Sequence, residues 1–77
     1  MKITATVEKN DNNFYAITSA DVVAGCHFGG YGYSVQEAKQ DFMEGIEESL
    51  ETAKELGKDV PVSASDIEVE FRYDIPS

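Results

Sequence analysis

The chain has 77 residues, 42% of them apolar, and carries fifteen Asp and Glu against six Lys and Arg, a formal net charge of −9. That length allows one domain burying about 60–65% of its unfolded surface, and the apolar share is too high for a disordered chain. A lone Cys26 rules out an internal disulfide and a multi-thiolate metal site, and the surplus of acids opposes unaided binding to nucleic-acid phosphates.

At the N-terminus, Ile3, Ala5 and Val7 alternate with Lys2, Thr4, Thr6 and Glu8, the pattern of a half-buried strand and not of a signal peptide or membrane span. The cytoplasm is therefore the expected compartment. Asn10-Asp11-Asn12-Asn13 forms a turn cluster, because Asn and Asp tolerate positive φ and bond to their own backbone. Phe14 to Ser19 then returns as the second strand of a hairpin. Ala20 to Gly25 reads as loop, with Val22-Val23 available to tuck inward. A third strand is expected within Cys26 to Tyr33, where Gly29-Gly30 permits a bulge. If Phe28 points into the core, then His27, Tyr31 and Tyr33 share the outer face.

The clearest local signal follows. Ser34 with Glu37 makes a capping box, and Val35, Ala38, Phe42, Ile46, Leu50, Ala53 and Leu56 recur at three- and four-residue steps, one stripe of a helix of about six turns. Gly57 occupies the place of a left-handed C-terminal cap, with Lys54 and Lys58 at the negative end of the helix dipole. Lys58 to Asp66 is a polar loop broken by Val60-Pro61-Val62. Ile67, Val69, Phe71 and Tyr73, alternating with Glu68, Glu70, Arg72 and Asp74, predict a final strand with one wet face.

The resulting order is β-β-β-α-β. One helix and strands with a polar face each predict an α+β, two-layer fold in which the helix lies across a four-stranded sheet. A right-handed crossover brings the last strand parallel to the third. If it lands beside the first, the topology is a partial ribonuclease H-like one.

Several site chemistries can be weighed on these elements. Cys26 and His27 are neighbours on a strand, so their side chains diverge and make a poor nucleophile–base pair. The glycines before the helix match neither a dinucleotide fingerprint nor a Walker loop, and no Lys or Arg lies between Asn10 and Lys39, so no cofactor is expected. A metal-dependent nuclease would gather carboxylates from strands and helix. Here Glu37, Asp41, Glu44, Glu48, Glu51 and Glu55 form their own stripe almost opposite the apolar one. They should face water, so neither catalytic nor metal-ligating residues are assigned. That stripe contains like-charge i,i+4 pairs, each costing about 0.2–0.5 kcal/mol. It reads either as a solvated face or as a docking surface for a basic protein, with Glu44, Glu48, Glu51 and Glu55 at its centre. Tyr31 and Tyr33 offer a second candidate surface, since exposed tyrosines anchor interfaces.

The hairpin KITATVEKNDNNFYAITSAD, then Gly25-Cys26, then GYSVQEAKQDFMEGIEESLE, resembles the N-terminal domain of HicB-like antitoxins over nearly the whole chain. Gly32, Ser34, Glu37 and Ala38 fill that family's Gly–x–Ser/Thr–x–x–Glu–Ala start of a long amphipathic helix. The chain departs from the pattern in having ADVVA where a Pro-containing loop is usual, and in a span about two residues longer between Gly25 and the helix. The resemblance implies a single, non-catalytic HicB-like domain over residues 1–77. It also implies binding to a small basic HicA-like toxin that cleaves messenger RNA, and homo-oligomers. Many family members add a C-terminal DNA-binding domain; none is expected within residues 1–77, which read either as a stand-alone module or as the part that precedes such a domain, and no direct nucleic-acid contact is expected of them. The alternatives are a stand-alone oligomeric or regulatory protein-binding domain of the same fold and, further off, the metal-dependent nuclease.

Overall fold

In the computed structural model, residues 1–10, 12–21, 25–60 and 63–75 are described. The elements are β1 (Lys2–Lys9), β2 (Tyr15–Ser19), β3 (Gly29–Gly32), α1 (Val35–Glu55), a short 3-10 turn (Ala64–Asp66) and β4 (Glu68–Asp74). The fold is α+β, a four-stranded mixed sheet with one long helix packed on it. Strand order is β3-β2-β1-β4, with β1–β2 and β2–β3 antiparallel and β4 parallel to β1. The last strand does land beside the first, giving the connectivity expected of a truncated ribonuclease H fold. No helix of the described residues is long and apolar enough to cross a membrane.

Each element closes with the local chemistry its sequence offers. In the hairpin turn, Asn10 accepts through its side-chain oxygen from the amides of Asn12 and Phe14, and Asn13 takes φ 56°. Ser34 accepts from the Glu37 amide at 3.1 Å, which is one half of the expected capping box. At the other end Gly57 adopts φ +78°, its amide bonds the Lys54 carbonyl, and the Lys58 amide reaches the Ala53 carbonyl. Those two bonds form a Schellman motif and satisfy carbonyls that the helix leaves unpaired. Leu56, placed on the apolar stripe by its spacing, is 70% exposed, because the helix has ended before its side chain can reach the sheet. The 3-10 turn has no counterpart in the periodicity. It is too short to show one; the Asp66 amide donates to the Ser63 carbonyl at 3.0 Å, and the Asp66 carboxylate accepts from the Ser63 hydroxyl at 2.9 Å. The expectations for Val22-Val23 and Pro61-Val62 lie outside the described residues.

The core sits between the sheet and the helix. Ile3, Ala5, Val7 and Ile17 from the strands meet Ala38, Phe42, Ile46 and Leu50 from α1, with Phe28 and Ile67 at the ends. Phe42 is fully buried and contacts Phe28 and Phe71 edge-on, at 6.5 and 5.9 Å between ring centroids. This aromatic row runs from the β3 side of the sheet to β4. Ser19 is the buried polar side chain among the described residues. Its hydroxyl accepts from the Phe28 amide and donates to the Asp21 carbonyl, so it extends the β2–β3 ladder past the end of β3.

β3 is a regular strand and not a bulged one. Its register runs without interruption from Tyr15↔Gly32 to Thr18↔Gly29. The glycines serve close packing instead. A Cβ on Gly30 would fall 2.6 Å from the Ala38 carbonyl oxygen and closer still to the Phe42 amide, and one on Gly32 would fall 2.7 Å from the Ala38 amide. The helix backbone therefore rests directly on β3. Gly30→Ala is expected to destabilise the protein by about 2 kcal/mol or more, since backbone and not a flexible side chain must move. Urea unfolding should show a lower midpoint with an unchanged slope.

Candidate functional site

Because α1 rests most closely on β3 and extends over β2, its outer surface is set by the residues opposite Ala38, Phe42, Ile46, Leu50 and Ala53. Glu37, Glu44, Glu48, Glu51 and Glu55 occupy it and are all exposed, as their spacing predicts. Glu47 adds a further exposed carboxylate on the flank. Among the described residues the sole ion pair is Lys2–Glu70, at 3.6 Å on the other side of the molecule, so none of the helix acids is neutralised by a salt bridge. The result is a continuous acidic face with an apolar underside. No three of the described His, Cys, Asp and Glu residues gather closely enough to hold a metal ion.

Asp41 departs from the expectation that every acid of the stripe faces only water. Its carboxylate accepts from the Tyr31 backbone amide at 2.9 Å. That amide points away from β2 at the edge of the sheet. Asp41 thus lies on the β3-side shoulder of the acidic face and closes a strand edge, a role invisible in the periodicity because it depends on how near the helix approaches.

Tyr31 and Tyr33 are 56% and 73% exposed. Phe14 gathers them: its ring stacks on Tyr31 at 5.9 Å and meets Tyr33 edge-on at 5.1 Å. Strand alternation puts Tyr31 on the face of the sheet turned away from α1. Consequently the six candidate partner-binding residues do not form one site. Glu44, Glu48, Glu51 and Glu55 lie on the outside of the helix layer, whereas Tyr31 and Tyr33 lie on the sheet side. Phe14, which organises the tyrosines, was missed because it sits at the hairpin turn, and cross-strand register decides its neighbours.

His27 does not join that aromatic patch. With Cys26 it lines an open groove beside the second half of α1, together with Glu48, Ser49 and Thr52, enclosing about 470 Å³. The Cys26 thiol is turned toward the helix, 3.9 Å from the Ser49 carbonyl, and is half-buried.

Replacing Asp41 by Ala should cost about 1 kcal/mol, the net worth of one hydrogen bond, and hydrogen exchange should show the Tyr31 amide losing protection before its neighbours on β2. Comparisons with protein-family models, curated proteins and solved structures return no match for this chain.

Proposed function

We propose that this chain is a HicB-like antitoxin module, a non-catalytic cytoplasmic protein that binds and neutralises a small basic HicA-like toxin. The observation that carries the reading is the acidic face of α1. Glu44, Glu48, Glu51 and Glu55 present like charges at i,i+4, and none of them is in a salt bridge among the described residues, an arrangement that weakens an isolated helix and that a basic surface would relieve. A net charge of −9 steers such a partner into contact and disfavours acidic competitors. The resemblance in the approach to the helix, through Gly32, Ser34, Glu37 and Ala38, supports the identity of that partner. In this mechanism the helix face covers the toxin's RNA-binding surface, so inhibition needs no chemistry from this chain.

The acidic face is preferred over the Phe14–Tyr31–Tyr33 patch because the two point in different directions, and only the former complements a basic protein. A low-salt pull-down should recover a small, basic, stoichiometric protein that salt releases. Added in equal amount, this chain should stop that protein from cleaving single-stranded RNA. Changing Glu44, Glu48 and Glu51 together to Gln should slow association by about tenfold and flatten its salt dependence. An unchanged association rate would remove the acidic face from the mechanism.

A further inference from the structure

The two edges of the sheet are treated differently. β3 is four residues long, its outward Tyr31 amide is held by Asp41, and the Gly45 turn of the helix lies against the Gly29 carbonyl, which a Cβ there would approach to 3.2 Å. β4 is seven residues long, regular, and among the described residues paired on one side only, to β1. The Glu68 amide donates to the Met1 carbonyl at 2.7 Å. Parallel pairing alternates, so Glu68, Glu70, Arg72 and Asp74 direct their backbone groups at β1. The amides and carbonyls of Val69, Phe71 and Tyr73 then point outward from the edge. An open edge of this length is normally guarded by a Pro, a bulge, a covering element or charged side chains. Among the described residues β4 has only the last, and its charges, Glu68, Glu70, Arg72 and Asp74, are of both signs, so they can pair with a second copy as well as repel one.

We infer that the β4 edge is a self-association surface that pairs antiparallel with β4 of a second copy, centred on Phe71, to give one continuous eight-stranded sheet. The occupant and register follow from EVEFRYD itself. About a twofold axis at Phe71, all seven strand residues are matched and every outward amide meets an outward carbonyl. Glu70 stands opposite Arg72 of the second copy, twice by symmetry, and Val69 stands opposite Tyr73. The like-charged Glu68 and Asp74 meet only at the strand ends. A slip of two residues one way sets Glu70 against Glu70 and runs the strand into the 3-10 turn. A slip the other way sets Arg72 against Arg72. On the helix side, Val69 and Phe71 are half-buried and Tyr73 is 56% exposed, so pairing covers apolar surface that α1 leaves open. With β3 closed by Asp41 and α1, each copy has one free edge among the described residues. Assembly therefore stops at an isologous dimer and does not run on into a fibre. This inference does not rest on the toxin-binding reading, because it uses neither the acidic face nor a foreign partner.

Sedimentation velocity and equilibrium of the intact chain, from micromolar to millimolar concentration, test it. A monomer–dimer equilibrium is expected that tightens as salt screens the repulsion between two chains of charge −9. Glu70→Arg alone and Arg72→Glu alone should each weaken the dimer by about tenfold or more, since symmetry changes two cross-strand pairs at once. The double exchange, E70R with R72E, should restore it to within about threefold, because opposite charges again face each other. Circular dichroism of all three variants should match the parent, as both side chains are exposed and the Lys2–Glu70 pair that E70R removes is a solvated surface pair. A chain that stays monomeric at millimolar concentration in 0.5 M salt overturns the inference. So do single variants that dimerise normally, or a double exchange that stays dissociated, which would place the contact elsewhere or in another register.

Discussion

The direct seating of the α1 backbone on β3 is the contact on which the other features depend. Gly30 and Gly32 remove the side chains that would hold a helix away from a sheet, and the surrounding groups exploit the gain. Asp41 reaches the Tyr31 amide, Ser34 caps the helix within a turn of the strand's end, and Phe42 drops far enough to touch both Phe28 and Phe71. A helix so placed lies toward one side of the sheet. β4, at the far side, receives less cover: Lys39 reaches across with its ammonium 4.7 Å from the Phe71 ring and 5.1 Å from the Tyr73 ring. Such cation–π contacts are worth a fraction of a kcal/mol to about 1 kcal/mol where exposed, and they shield the rings without satisfying the strand edge.

Charge is segregated in the same two-layer geometry. The helix carries its acids outside and its apolar stripe inside, and the strands carry mixed charge on the open face of the sheet. Helical stability comes mainly from packing and caps. The like-charge pairs along Glu44, Glu48, Glu51 and Glu55 can therefore be tolerated without unfolding the helix, and the composition of that face is free to answer to a partner. On β4, by contrast, Glu70 and Arg72 have opposite sign two residues apart, the spacing that a twofold axis between them turns into facing pairs. On the readings proposed above, one surface would receive a basic stranger and the other a copy of itself. They share no residue, so both contacts can form on one molecule.

Much of the architecture was legible in the sequence because it is written in short periods. Alternation over Lys2–Glu8 and Ile67–Asp74 marks strands with one wet face. The steps from Ala38 to Ala53 mark the buried side of a helix, and Asn10–Asn13, Ser34 and Gly57 mark where elements stop. Each signal acts over a few residues and depends on backbone geometry common to all proteins. The exposure of Glu44, Glu48, Glu51 and Glu55 followed from the same periodicity. Leu56 shows its limit, since a stripe does not tell where the helix ceases to touch the sheet.

Tertiary structure decided which residues become neighbours. The role of Gly30 and Gly32 as a seat for the helix, in place of a bulge, depends on interlayer distance. The edge cap by Asp41 depends on it too. The gathering of Tyr31 and Tyr33 by Phe14, and their separation from the acidic face, depend on cross-strand register and on which side of the sheet the helix takes. That β4 ends as an edge, unpaired on its outer side among the described residues, follows from its landing beside β1. Local sequence determined the elements, their caps and their wet faces, because these arise from interactions within a few residues. Register, layer spacing and edge exposure arise from contacts between residues far apart in the chain, so only the folded molecule could set them.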